Sequence, residues 1–150
     1  MRKEKGVDIL GILYNILHER KQVEDYGVYL TVGKVFRFRS KGMVDFGGSE
    51  YKESELEEIK PVKRKEEDKY GWWDLPKGEY LIEFNEEIKE ILPDAELVLI
   101  QPSERIIMSG AFHSMMIIEK TGPIRVTLYV GENGIEIKEN ARISELIVLE

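Results

Sequence analysis

From residue 71 onward, hydrophobic and polar positions alternate with a period of two. In "EYLIEF" Tyr80, Ile82 and Phe84 share one face, and in "IRVTLYV" Ile124, Val126, Leu128 and Val130 do the same, which is the spacing of half-buried strands. Turn-forming residues punctuate this half at Pro76 and Gly78, Pro93 and Asp94, Gly122 and Pro123, Asn133 and Gly134, and Asn140. The intervals leave no room for helices between strands, so the pattern predicts a sandwich or jelly roll rather than a parallel sheet. Residues 27–39, "GVYLTVGKVFRFR", form two short strand-like runs about Gly33 and Lys34, a hairpin or a bent strand pair. Residues 1–22 carry apolar positions at helical spacing, with a broad buried stripe over residues 7–17. Residues 50–70 interleave acids and bases around Pro61, and they read as a charged surface loop that adds little to a core. The prediction is a mainly β chain with an N-terminal helix, forming one domain over residues 1–150.

Composition narrows the function classes. A chain of 150 residues with 42% hydrophobic content matches one core. A net charge of -7 opposes the broad positive surface that sequence-independent nucleic-acid binding requires, so no nucleic acid is expected. There is no cysteine for a disulfide or thiolate, and His18 and His113 are too far apart for metal-ligand spacing. The basic start followed by apolar residues invites comparison with a secretion signal, but Asp8 and Asn15 interrupt the run and no small-residue cleavage site follows. No stretch is long enough to span a bilayer, and the expectation is a cytoplasmic protein without a membrane partner. Abundant Lys, Glu and Ile with only two glutamines is a composition associated with hyperthermophiles.

The segments "GVYLTVGKVFRF", "KGMVDF" and "GWWDLPKGEYLIEF", the pair Pro102 and Gly110, and the terminal "NARISELIV" follow one another in an order that resembles the dUTPase and dCTP deaminase superfamily, most of all archaeal dUTPases. The likeness runs from about Gly27 to the C-terminus. It implies a distorted jelly-roll β-sandwich of the dUTPase-like type and a homotrimer whose sites are built by neighbouring chains. The ligand class it implies is a pyrimidine deoxynucleotide, with Mg²⁺ entering only together with a bound triphosphate and no intrinsic cofactor or metal.

The chemistry of that family needs phosphate donors, a hairpin that reads the pyrimidine, and a carboxylate that orients water. Where it places an arginine and two serines after a proline, this chain reads Pro102, Ser103, Glu104, Arg105. Ser103, Arg105 and Arg142 are the phosphate-binding candidates. Glu104 opposes them unless it points away, since two unit charges at about 4 Å repel by roughly 4 kcal/mol at an effective dielectric of 20. The hairpin "AFHSMMIIEKTG" has no aspartate and an apolar centre that reads as packing, so Glu119 is the weak candidate for a relocated catalytic base. Losing a positioned base typically costs about 10²–10⁴-fold. Tyr29 stands where the family has an aspartate, Tyr129 where deaminases have a glutamate, and Glu145 where a glutamine contacts phosphate.

Trp72 and Trp73 are base-stacking candidates, against the commoner role of large aromatics in a core or interface. Lys63, Arg64 and Lys65 form a basic triplet that reads as part of a solvated loop. His18 reads as a solvent-facing residue near a helix C-terminus, and His113 as a satisfied core or interface residue. Three functions remain open: a homotrimer whose nucleotide-hydrolysing site has degenerated into a binding, regulatory or assembly role, an active divergent pyrophosphatase that releases dUMP and pyrophosphate, or a subunit that assembles with an active dUTPase or deaminase paralogue.

Overall fold

The computed structural model describes residues 2–91 and 96–150. In chain order its elements are α1 (Gly6–Ile9), a 3-10 turn (Leu10–Ile12), β1 (Leu13–Tyr14), α2 (Glu19–Gln22), β2 (Val23–Glu24), β3 (Gly27–Phe38), β4 (Leu56–Ile59), β5 (Trp72–Leu75), β6 (Gly78–Ile88) and β7 (Leu97–Pro102). There follow α3 (Glu104–Met108), β8 (Ala111–Phe112), β9 (Met116–Ile117), β10 (Gly122–Val130), β11 (Ile135–Lys138) and β12 (Arg142–Leu149). The expected mainly β, dUTPase-like fold class holds. No helix among the described residues is long and apolar enough to cross a membrane.

The main sheet runs β8-β10-β6-β3-β12-β7-β9, and β5 and β11 form a separate two-stranded sheet. Its antiparallel strands curl because β3 belongs to both halves. Val28 to Thr31 pair with β12, whereas Val32 to Arg37 pair with β6, and the register shifts between Val32 and Lys34. The predicted break at Gly33 is therefore a bend within one strand. A Cβ at Gly33 would lie 2.7 Å from Asn85 Oδ1, so only glycine leaves room there for the Asn85 amide. That amide donates to Thr31 Oγ1 (3.0 Å) and to Asn140 Oδ1 (2.8 Å), joining β3, β6 and the positive-φ turn at Asn140.

The alternating faces meet in one core cluster. Tyr80, Ile82 and Phe84 of β6 and Ile124, Val126, Leu128 and Val130 of β10 are buried, as their spacing predicts. Burying side chains of this size contributes about 1.5–3 kcal/mol each, so the register of these two strands is strongly fixed.

Two expectations are corrected. Residues 1–22 do not form one helix. Ile9, Ile12 and Leu13 are buried at near-helical spacing, but Leu13 and Tyr14 turn to pair with Ile88 and Glu87 of β6, and Asn15 takes φ 67°. Sheet pairing outcompetes a short helix here, leaving Val7 and Leu17 exposed at the ends of the predicted stripe. His18, exposed as expected, starts α2 rather than ending a helix, its Nδ1 accepting from Lys21 N–H at 3.3 Å. Within the 50–70 segment, exposed over most of its length, Leu56 to Ile59 pair with Phe38 to Val35 of β3, and Ile59 O accepts from Trp73 Nε1 at 2.7 Å. The turn signal at Pro93 and Asp94 lies outside the described residues.

Gly6 seats the N-terminal segment on the β2–β3 turn. A Cβ at Gly6 would fall 2.0 Å from Glu24 O and 2.6 Å from Gly27 O, both fixed backbone. Gly6→Ala is expected to cost about 3 kcal/mol, at the upper end of overpacking effects. Gly11→Ala, where a Cβ meets nothing within 4 Å, is expected to stay within about 0.5 kcal/mol of the parent. Equal denaturation midpoints for the two variants would contradict this reading.

Candidate functional site

Three residues singled out in the sequence converge on one open cavity of ≈ 360 Å³. Trp72 enters it from β5, Arg105 from α3 and Arg142 from the start of β12, and Lys138 adds a fourth group from β11. The cross-strand pairing of Trp72 with Lys138 sets indole and ammonium on the same face, with Lys138 Nζ 5.7 Å from the ring centroid.

The carboxylates at this cavity are already engaged. Glu136 pairs with Arg64, whose guanidinium also stacks on Trp72 at 3.7 Å from the ring centroid, and Glu139 Oε1 accepts from Gly71 N–H at 2.8 Å. Arg64, read from sequence as part of a solvated loop, thus covers one face of the indole offered for base stacking. Arg105, Lys138 and Arg142 supply cations suited to an anion, and the two carboxylates lining the cavity each hold a bond to the protein itself. Arg142 is itself partly committed: Nη1 donates to Lys21 O at 2.6 Å, and the guanidinium lies 5.4 Å from the Tyr29 ring centroid.

The other candidates lie elsewhere. Ser103 is buried; its hydroxyl caps α3 by accepting from Ile106 N–H at 3.4 Å, and its own N–H donates to Ile143 O at 2.9 Å. Glu104 is exposed in the first turn of α3 and does not line the cavity, so it points away because the chain turns helical rather than through strand alternation. Trp73 is 2% exposed and belongs to the core, where it presents no face to a base. Glu119 is exposed at the far end of β7: Ile117 pairs with Leu99 and Ile118 N–H donates to Val98 O, which sets it about 17 Å from Pro102 at ~3.3 Å per residue.

Arg142 joins this cavity to the outer face of β3, β12 and β7, where Tyr29, Glu145 and Gln101 sit side by side in register. Glu145 lies over Gly27, where an added Cβ would be 2.3 Å from its Oε1. Burial, and then the charge of Glu24, push the Glu145 carboxyl above its ordinary value. Glu24 within reach of the Tyr29 hydroxyl, reinforced by burial, pushes that phenol up as well. A groove of ≈ 490 Å³ lined by Glu24, Asp25, Tyr26 and Glu145 opens here. Its acid-lined wall repels phosphate.

The segment 111–118 departs from the packing expected of it. His113 is buried, with Nδ1–H donating to Ser114 O (2.9 Å) and Nε2 accepting from the Ser144 hydroxyl (2.7 Å). Burial lowers its pKa, in keeping with that neutral tautomer. Met115, Met116 and Ile117 are instead exposed, because the chain there crosses from the β8 edge of the sheet to the β9 edge. Tyr129 is also exposed, stacked on Phe112 at 5.4 Å between ring centroids.

A second acidic cluster lies at the chain ends, where carboxylate oxygens of Glu4, Glu96 and Glu150 come within 4.8 Å of one another. The Glu4 pKa is pushed up to about 7, first by its hydrogen bond with Glu150, then by burial and by Glu96. A raised folded-state value gives stability that is fully present below the ordinary carboxylate range and is lost as pH rises through about 7. Glu4→Gln is therefore expected to melt with the parent at about pH 4 and below, and above it beyond about pH 8. A pH-independent difference in melting temperature would contradict this.

Sequence reasoning missed Lys138 and Glu24. Only the pairing of β11 with β5 and of β2 with β3 brings them to these surfaces, and no local motif marks either.

No protein-family model matches the chain. It is 30% identical over 139 residues to the probable deoxyuridine 5'-triphosphate nucleotidohydrolase of Methanosarcina mazei, covering 91% of this chain and 77% of that protein. The proteins of the same name from Methanosarcina acetivorans (29% over 139 residues, 91% and 77% covered) and Archaeoglobus fulgidus (28% over 142 residues, 93% and 79% covered) are similar to it as well. Among solved structures, the 2'-deoxycytidine 5'-triphosphate deaminase of Agrobacterium tumefaciens superposes with a TM-score of 0.68 at 14% identity, over 97% of this chain. The match takes in 47% of that deaminase chain, about half its length, and shows likeness of fold. A β3 bent across both halves of a curled sheet, a matching deaminase fold and 30% identity along nearly the whole chain lead to one assignment: the protein belongs to the dUTPase and dCTP deaminase superfamily.

Proposed function

We propose that the chain is a single-domain, homotrimeric member of this superfamily whose nucleotide-hydrolysing site has degenerated, leaving a nucleotide-binding, regulatory or assembly role. The observation that supports the reading is the pairing of Glu145 with Tyr29 and Gln101 beside Glu24, which sets acid on the strand face next to Arg142, at the position where the family resemblance implies a phosphate donor. The commitment of Glu136 and Glu139 to Arg64 and Gly71 supports it, because a water-orienting base would have to be freed from an existing bond. A pyrimidine deoxynucleotide is the proposed ligand class, held through Arg105, Lys138 and Arg142, with Mg²⁺ arriving only on a triphosphate. The proposed setting is the cytoplasm of a heat-adapted archaeon.

Incubation of the pure protein with dUTP or dCTP and Mg²⁺ at elevated temperature, with products separated by chromatography, tests the reading. Both nucleotides are expected to survive. The convergence of Arg105 and Arg142 on one cavity favours a second reading, a divergent dUTP pyrophosphatase. That reading requires dUMP and pyrophosphate to appear, and both to vanish in Arg105→Ala and Arg142→Ala while assembly persists.

A further inference from the structure

The aromatic rings at the cavity are taken up by cations. Arg64 Cζ lies 3.7 Å and Lys138 Nζ 5.7 Å from the centroid of the Trp72 ring, and the Arg142 guanidinium lies 5.4 Å from that of Tyr29. Arg64, Lys138 and Arg142 are thus each placed by a ring whose quadrupole attracts positive charge.

Arg64 is held over the indole by its backbone as well as by its charge. Val62 and Trp72 exchange two backbone hydrogen bonds (2.8 and 2.9 Å), so the segment before β5 runs antiparallel beside it. Two residues on, Arg64 crosses the indole to pair with Glu136 of β11. Behind it the chain turns, with Asp68 N–H donating to Lys65 O and Lys65 N–H to the Asp68 carboxylate, both at 3.0 Å.

A base finds little to stack on here. Trp73 belongs to the core, and the Trp72 indole carries a guanidinium at stacking distance. The cavity offers charge instead: Arg105, Lys138 and Arg142 line it, and such groups bond phosphate oxygens. Its ≈ 360 Å³ stands near the lower limit of the ~300–1,000 Å³ of pockets that enclose a whole small ligand. We propose that the cavity binds the phosphate chain of its ligand and leaves the base unread, so that inorganic tripolyphosphate serves as well as a nucleoside triphosphate, with Arg64 as the residue that denies Trp72 to a base. The inference rests on the anion-binding role proposed above for Arg105, Lys138 and Arg142, and it narrows the ligand from a nucleotide to its phosphates.

Calorimetric titration of the full chain at low salt with Mg²⁺ tests it, comparing tripolyphosphate, a non-hydrolysable dUTP analogue and deoxyuridine. The parent is expected to bind the first two within about fivefold of each other, and deoxyuridine not at all. Arg64→Ala changes a half-exposed side chain, and an unchanged melting temperature establishes that the variant folds. With the indole cleared, the analogue is expected to gain at least about fivefold over tripolyphosphate, the lower end of one base–aromatic stack. The ratio of the two ligands is read because Glu136, freed of its partner, repels both alike. Trp72 fluorescence should respond to the analogue more in this variant than in the parent, against a constant background from the buried Trp73. Preference of the parent for the analogue by more than about fivefold would show that the base is read. That result, or an Arg64→Ala variant whose ratio does not change, overturns the inference while nucleotide binding stands. If the parent binds neither ligand, the anion-binding role falls as well.

Discussion

Replacing Glu86 with alanine is expected to lower the free energy of unfolding by about 3–5 kcal/mol, because it orphans several buried donors at once. Glu86 is fully buried on β6, and among the described residues it is held by hydrogen bonds with no ion pair. Its Oε1 accepts from Thr31 N–H at 2.7 Å, and its Oε2 from the Thr31 hydroxyl at 2.6 Å and Gln22 Nε2 at 2.9 Å. The Asn85 amide donates to the same hydroxyl, which directs the Thr31 proton to Glu86. Gln22 in turn takes the N–H groups of Leu17 and His18 on its Oε1, both at 2.8 Å, and donates to Tyr29 O. One carboxylate therefore ties the N-terminal segment, the bend of β3 and the end of β6 together. Burial pushes its pKa up and the donors hold it back. At about 2–4 °C per kcal/mol for a chain of this size, the melting temperature should fall by roughly 10 °C. Glu86→Gln keeps the volume but turns an N–H toward donors, so about half that loss is expected. Chemical denaturation followed by circular dichroism measures both, and an alanine variant within 1 kcal/mol of the parent, on the scale of an ordinary surface change, would remove the network from the account.

The second large effect is a gain. The double variant Glu24→Gln, Glu145→Gln is expected to bind a non-hydrolysable dUTP analogue with Mg²⁺ at least about 10-fold more tightly than the parent. Two unit charges at about 4 Å repel by roughly 4 kcal/mol at an effective dielectric of 20, and partial exposure of Glu145 reduces this through solvent screening. A tenfold change needs 1.4 kcal/mol, well inside that range. Because the Glu145 carboxyl titrates above its ordinary value, parent affinity should also rise as pH falls through that raised value and Glu145 becomes neutral. The double variant should lack that dependence. Calorimetric titration at low salt across pH reads both effects, and equal affinities at every pH would mean that these acids do not exclude a triphosphate.

The strands were legible where one face is buried, because a period of two in β6 and β10 admits only one register. The N-terminal helix was misread because Ile9, Ile12 and Leu13 satisfy both a helical stripe and a chain that wraps onto β6, and only the pairing of Leu13 with Ile88 separates the two. Arg105 and Arg142 follow from family spacing and Trp72 from the capacity of an aromatic face to stack on a base, and the three do share a cavity. Ser103 was overvalued because the same proline-to-serine step that suggests a phosphate donor also makes a helix cap. Trp72 and Trp73 look alike in sequence, and strand alternation gives one to the cavity and the other to the core. Glu24 and Lys138 carry no local signal, since long-range pairing alone brings them to the site.

The central claim is that the scaffold persists while acid has taken the place of the groups that would hold and hydrolyse a triphosphate. Chromatographic quantification of dUTP and dCTP after prolonged heating with the protein and Mg²⁺ tests it most directly. The account predicts both nucleotides recovered at the level of a protein-free control. Accumulation of dUMP, or conversion of dCTP to a uracil nucleotide, at a rate abolished by Arg105→Ala would contradict it.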